Sequence, residues 1–509
     1  MLSNVQHPLP SHSSWYNTTD ELLRRVQNNA RDDMWEYLLT LADHSNTTTK
    51  QSLQIYEAAL KCFPNTPAIQ VAHLRRALCQ DSDYAPEQVL ALFRKYLEYP
   101  SVAVCALYVS FIKEHSFMIP TPDIHEFVLN LVGQEYESHG LWTQYLNTLE
   151  EVGDQTLRRA LVDAVKIPTK DLPQFWIRLQ RLSQQDSSDT MHLLPLHKRA
   201  LLVRHQIQHY AETLYPVTKP GVTQSNHSDT LLLPASPVAS SFSGHLARRW
   251  EAYLRWEESD PLRLRDNDMG AYRRRLGSAY LRATIRVRFC PEIWYMEYRW
   301  RIGIGTDEEA IARLREGIEA NKASTLLNFA LADALEAKGH ANQVKKIYED
   351  LLIILRTTLN SGADAGYACV SKDLGVVYKM YMRFAFRTRN VTATRSLLAQ
   401  ATKDGPLVPW LVYAEAAKSQ LDCEGSKDVA LQIFHAGMTN FSKDIQFVIC
   451  YLEWLIAIDA RKHAEALVNS TVFKLPPKDA AYIRDRWLRY IYHGDDLQSI
   501  QGVEQDSEH

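Results

Sequence analysis

Residues 31–41 read Arg-Asp-Asp-Met-Trp-Glu-Tyr-Leu-Leu-Thr-Leu, a polar break comes next at Asn46-Thr-Thr-Thr49, and then Leu53, Ile55, Tyr56, Ala59, Leu60 and Phe63-Pro64. Apolar residues recur every third or fourth position on both sides of the break, the period of a helix with one buried face. The stretch therefore predicts two antiparallel helices joined by a short turn. Pro64 closes the second helix, because proline lacks an N–H and restricts the residue before it. With Trp35 as the anchor of the first helix, equivalent positions fall at Gln70, Cys105, Trp142 and Trp176, spaced by 35, 35, 37 and 34 residues. Similar proline punctuation stands at Tyr99-Pro100, Ile167-Pro168 and Tyr215-Pro216.

The pattern resumes at Trp250-Glu-Ala-Tyr253 and Pro291-Glu-Ile-Trp294, and later anchors are Asn328, Tyr378, Trp410, Tyr451 and Trp487. About twelve units of roughly 35 residues account for most of the chain. One such unit cannot bury its apolar face alone, so the fold class expected is all-α, a helix-pair repeat superhelix. The aromatic anchors are expected in the core, each covering about 150–250 Å². Between the two runs, Val217–Gly244 is rich in Pro, Ser and Gly without helical periodicity, which reads as a linker. The expected organisation is a flexible segment at 1–19, an array at 20–216, the linker at 217–244, a second array at 245–496 and a flexible tail at 497–509. A smaller loop is expected at Asn360–Gly366.

Composition agrees with a helical protein. The 509 residues include 19 glycines and 21 prolines, so sharp turns are few, and 46% are hydrophobic, enough for a large core. A formal charge of −3 on 57 basic and 60 acidic residues gives no whole-molecule steering toward nucleic acid or anionic lipid. No stretch has the 18 or so apolar residues of a membrane span, and the start lacks the charged and apolar regions of a cleaved signal. The seven cysteines never form a Cys-x-x-Cys pair, which reads as buried thiols in a reducing compartment. The six Asn-x-Ser/Thr sequons are then chance matches.

The Trp-x-x-Tyr first helix with an alanine- and aromatic-bearing second helix resembles the half-a-TPR (HAT) repeat. Four longer segments, Trp250–Leu262, Pro291–Tyr295, Val377–Ala385 and Val429–Gly437, are similar to the suppressor-of-forked family, the large HAT subunit of cleavage stimulation factor in animals and cleavage factor IA in yeasts. Trp487–Ile491 and Gly494–Ile500 resemble that family's last repeat. The resemblance implies two HAT arrays, the second forming a homodimer. It also implies a nuclear, non-catalytic scaffold in pre-mRNA cleavage and polyadenylation, which holds an RRM-containing partner and other 3′-end factors. It implies no cofactor, small-molecule substrate or membrane. The family's proline-rich segment that binds the RRM partner is not among these 509 residues. A splicing-type HAT scaffold associated with the U1 particle is the nearest rival, disfavoured by the four segments. A TPR-like peptide-binding adaptor is the other, disfavoured by Trp and Tyr at packing positions.

Candidate sites are few. No His-Glu-x-x-His, phosphate-binding loop or Gly-x-Ser-x-Gly elbow occurs, and Gly303-Ile-Gly305 reads as a helix–helix turn. His205 and His209, four apart on a helix, lack a third metal ligand. From Arg248 to Arg301 there are thirteen arginines and eight acids, a net of +5. Arg273, Arg274, Arg275, Arg282, Arg286 and Arg288 form a candidate basic face for RNA or an acidic partner, since guanidinium suits phosphate and carboxylate. Phe434, Phe441, Phe447, Tyr451, Trp454 and Leu455, with neighbours as far as Phe473, form a candidate isologous dimer interface. Ser236-Pro237 in the linker is a candidate phosphorylation site.

Overall fold

A computed structural model describes residues 21–24, 26, 34–43, 47–79, 81–115, 120–182, 187–214, 241–360, 367–388, 391–403, 409–424 and 426–494. Among these the chain is helical and contains no strand. It forms two compact units, Met1–Arg313 and Leu314–His509.

The first unit opens with the expected helix pair, Met34–Ala42 and Thr49–Cys62. Thr48 caps the second helix, its hydroxyl accepting from the Gln51 N–H, and the helix ends where Phe63 N–H donates to the Ala59 carbonyl at 2.7 Å. Antiparallel pairs continue through Pro67–Ala77 with Pro86–Tyr96, Val102–Glu114 with Thr121–Val132, and His139–Glu150 with Asp154–Ala164. Pro67, Pro86 and Pro291 stand in the first turn of helices, where the missing N–H costs nothing. Prolines thus open helices here as well as terminate them.

Three apolar clusters run through this unit. Trp35, Tyr56 and Phe63 form the first. Phe93, Phe111, Trp142 and Phe175 belong to the second, and Trp250, Tyr253, Tyr272, Tyr280 and Trp300 to the third. The anchors Trp35, Trp142, Trp250, Tyr253 and Trp294 are all buried, as are Gln70 and Cys105 at the equivalent positions. Trp176 departs from the reading. In Leu172–Leu182 the residues facing the core are Leu172, Phe175 and Leu179, one position out of phase. The Trp176 ring instead lies half-buried and flat on His197, with centroids 4.2 Å apart.

Residues 245–313 pack with this first unit rather than with the later helices, so the compact units part about seventy residues beyond the expected linker. The ties are specific. Arg275 Nη1 donates to the Gln134 carbonyl at 3.2 Å and the Ser278 hydroxyl to Glu135 at 2.8 Å, while Phe289 packs against the cluster around Trp35. Residues 1–19, 217–240 and 497–509 lie outside the described residues, as does Ser236-Pro237.

In the second unit the pairs include Thr325–Ala337 with Ala341–Asn360, Tyr367–Arg387 with Val391–Lys403, Leu411–Glu424 with Lys427–Phe441, and Ile445–Ala457 with Arg461–Thr471, closed by Pro477–Gly494. Ser324, Ser426 and Asp444 cap helices. The first helices from Tyr367 onward lie side by side. Tyr378 and Trp487 are buried, and Trp410 is half-buried.

Candidate interaction surfaces

The arginine-rich segment resolves onto different sides of its helix. Met269–Arg286 carries Arg273, Arg274 and Arg275 at successive positions, about 100° apart, so they cannot share a face. Arg273 and Arg274 are exposed, and Arg273 donates to the Ile304 carbonyl at 3.0 Å. Arg275 is 8% exposed and grips Glu257 with two nitrogens, at 2.9 and 2.7 Å. Tyr253 donates to the same carboxylate at 2.8 Å, and Arg282 reaches the Tyr253 oxygen at 3.2 Å. Burial and the Glu257 charge push the Tyr253 phenol well above its ordinary value, so it stays a donor. Arg282, Arg286 and Arg288 are half-buried.

The six arginines are therefore not one basic face. Arg275, Arg282 and Arg286 lie along a helical stripe that is drawn toward the interior, and Arg273 and Arg274 remain for a surface. A second buried ion network lies nearby. Glu297, fully buried, accepts from Arg301 at 2.9 Å and from Arg313 at 2.9 and 3.1 Å. Arg313 also donates to Thr284 at 2.7 Å and lies 4.8 Å over the Trp294 ring. The sequence conceals the pairs Arg275–Glu257 and Arg313–Glu297, because acid and base stand 18 and 16 residues apart on different helices.

The late aromatic strip is likewise interior. Phe434, Phe447, Tyr451, Trp454 and Leu455 are covered by their own chain, and Phe441 is half-buried. Phe434 stacks on Tyr451 at 4.4 Å and meets Trp454 at 4.8 Å. Gly437 makes this possible: a Cβ there would stand 2.6 Å from the Phe447 ring, so only glycine lets these helices approach so closely. The five buried side chains offer little surface to a second subunit, and of the six only Phe441 is partly open. What the same region does expose is Phe473, at 87%, with Tyr482 and Tyr492 half-exposed on the last helix.

His205 and His209 are exposed on Ser187–Leu214, and no group of three or more His, Cys, Asp or Glu is placed to hold a metal among the described residues. Gly303 ends its helix and Gly305, at φ 74°, turns the chain. The thiols are not uniformly buried. Cys105 is, with its pKa pushed up to about 12 by burial, whereas Cys79 is exposed. Among the described residues no helix is long and apolar enough to cross a membrane.

Helix pairs at this spacing, with aromatic anchors in the core and partly buried arginine–acid networks, define a helical-repeat protein of the half-a-TPR kind. A family model described as suppressor of forked protein (Suf) matches residues 17–509, and the chain belongs to that family. It is 22% identical over 532 residues to "mRNA 3′-end-processing protein rna14" of Schizosaccharomyces pombe, covering 95% of this chain and 70% of that protein. It is 23% identical over 472 residues to "Cleavage stimulation factor subunit 77" of Arabidopsis thaliana, covering 89% of this chain and 60% of that one. Against RNA14 of Cryptococcus neoformans the match covers 75% of this chain and 41% of the relative, at 23% identity. The chain thus spans about two fifths to seven tenths of these relatives. A crystal structure of CstF-77 shares the fold, with a TM-score of 0.53 at 15% identity over 87% of this chain and 89% of that one.

Proposed function

We propose that this chain is a non-catalytic scaffold of the nuclear machinery that cleaves and polyadenylates pre-mRNA 3′ ends. The observation carrying the reading is the family match over residues 17–509, from the first repeats to the last, together with relatives named for 3′-end processing. A stiff stack of helix pairs offers long surfaces, and several RNA-binding partners on one frame raise the avidity for closely spaced sequence elements. An RRM-containing subunit is the partner expected.

The scaffold forms a homodimer through its late repeats. The exposed Phe473 supports a contact there in place of the buried strip. Phe473→Asp is expected to convert a dimer to a monomer in light scattering without loss of helicity, and an unchanged mass would remove this contact. Direct RNA contact falls to the exposed Arg273 and Arg274 rather than to all six arginines. The function is tested by affinity purification of the tagged chain from nuclear extract. Recovery of an RRM protein and cleavage and polyadenylation factors is expected, and recovery of U1 components or chaperones alone would overturn the reading.

A further inference from the structure

The helix Ser187–Leu214 in the first unit carries apolar side chains on two opposite faces. Its core face is made by His197, Ala200, Val203 and Ile207, all buried. Met191 and Leu202 stand 11 residues apart, about three helical turns, so they share a face, and it is the one turned away from the core. Leu202 is 73% exposed and Met191 69%, with Pro195 exposed between them. A single exposed leucine is ordinary. An aligned aliphatic strip on an unpartnered helix face marks a contact surface.

The charge beside this strip has one sign. From His192 to Ala211 there are three Lys or Arg, four His and no Asp or Glu. Lys198 is exposed within the strip, Arg199 is half-buried on its edge, and the exposed His205 and His209 continue it toward Glu212, the first carboxylate. Lys198 and Arg199 form no ion pair among the described residues. The adjoining helix Leu172–Leu182 contains Arg178 and Arg181 and no acid, and Arg178 is matched by Glu150 at 2.9 Å. Ser241–Glu258, packed on the same helix, presents Arg249 to the Thr213 carbonyl at 3.1 Å, and its Glu251 pairs with Arg255. Arg204 points away from the strip, donating to the Lys170 carbonyl at 3.0 Å, and Asp171 and Glu137 stand with it around Tyr136. Cations flanking exposed aliphatics match a segment in which carboxylates flank apolar side chains. They match nucleic acid poorly, because bases stack on open aromatic faces, and Trp176 and Tyr210 are packed against His197 and against Tyr253 and Trp256.

We propose that this strip docks an acidic amphipathic segment of a partner protein, its apolar side chains on Met191, Pro195 and Leu202 and its carboxylates toward Lys198 and Arg199. The proposal rests on the scaffold reading, which it deepens by naming the chemistry of a partner. It is tested on the purified full chain by selecting displayed random peptides of about eighteen residues, which as a helix run the roughly 27 Å from Met191 to His209. Enriched peptides should join Asp or Glu to Leu, Ile, Met or Phe. Their affinity should fall by more than about tenfold in Leu202→Asp and in Lys198→Glu and hold in Leu202→Met, with circular dichroism unchanged because both positions are exposed. Failure to enrich any peptide, enrichment of basic or uncharged ones, or affinity indifferent to either charge change would overturn the proposal. So would another occupant of the strip. A U-rich oligonucleotide or phosphatidylserine vesicles would show by displacing the peptides, and a second copy of the chain by a fall in mass in Leu202→Asp. The chain's own residues 217–240 would show by tighter peptide binding once Leu231, Leu232 and Leu233 are changed to serine. The selection reads the purified chain, whereas the scaffold reading is tested by recovery from extract, so failure of one is distinguishable from failure of the other.

Discussion

Removing the Glu297 carboxylate tests how much of the first unit depends on a buried charge. Glu297 is fully buried and serves two arginines that differ in their alternatives. Arg301 is 16% exposed and has a second carboxylate, Glu309, at 2.8 Å, so it survives the loss. Arg313 is 7% exposed, and the Thr284 hydroxyl and Trp294 ring beside it are neutral. Glu297→Gln therefore removes the buried charge that Arg301 and Arg313 share, and breaking a buried ion pair by removing one partner typically costs about 3–5 kcal/mol. That is a factor of roughly 10²–10⁴ in the local opening equilibrium.

Hydrogen exchange read by mass spectrometry is the assay, because it resolves the region around residues 284–313 from the rest of the chain. Protection there should collapse in Glu297→Gln while the helices of the second unit keep theirs. The double variant Glu297→Leu with Arg313→Met, which removes both charges and keeps the volume, should recover most of the protection. If the single variant loses less than about 1 kcal/mol, or the double variant is as open as the single one, the assignment of this pair as a buried charge lock is wrong.

Three further outcomes are expected from the same structure. Gly437→Ala should destabilise the second unit by about 1–3 kcal/mol, since the added Cβ would sit 2.6 Å from Phe447; melting curves read this, and an unchanged transition would show that the helices yield freely. His125 is fully buried, neither ring nitrogen has a partner, and burial, aided by Lys113, lowers its pKa to about 4. The unfolded chain takes up the proton near 6.5, so this contribution to stability is complete above that pH. It is lost as pH falls toward 4, by up to about 3 kcal/mol. Chemical denaturation across that range should be flatter for His125→Leu, and parallel slopes would refute it. Arg274→Ala should leave stability within about 0.5 kcal/mol while Arg275→Ala costs about 3–5 kcal/mol; equal denaturation midpoints would contradict the division of the arginine triplet.

Much of this architecture is legible in periodicity. Trp35, Trp142, Trp250 and Trp487 fall at the spacing of one helix pair and are buried, because an amphipathic helix must repeat its apolar residues near every third or fourth position. Trp176 is the exception by one residue, since Phe175 competes for the same phase and nothing local decides between two adjacent aromatics. Apolarity on all sides of Phe447–Ile458 signals burial, but it cannot say whether the cover comes from the same chain or another. Phe434, Gly437 and Phe441 of the preceding helix supply part of that cover from within. The arginines mislead for a related reason. Composition counts charge and does not see that Glu257 and Glu297 meet Arg275 and Arg313 across helices.

A stack of repeats in which each touches only its neighbours can fray from either end one pair at a time. Residues 134–278 of the first unit are not free to do so. The Arg275–Gln134 and Ser278–Glu135 hydrogen bonds join positions 141 and 143 residues apart. They turn an open row of helix pairs into a closed circuit. Opening a pair inside that circuit brings no release of the chain ends while the clasp holds, and re-forming the clasp from an open chain carries a closure term of about 4 kcal/mol for a loop of that length. The circuit therefore unravels abruptly once the clasp parts, and a pulling experiment should record one large step where an ordinary solenoid gives a series of small ones.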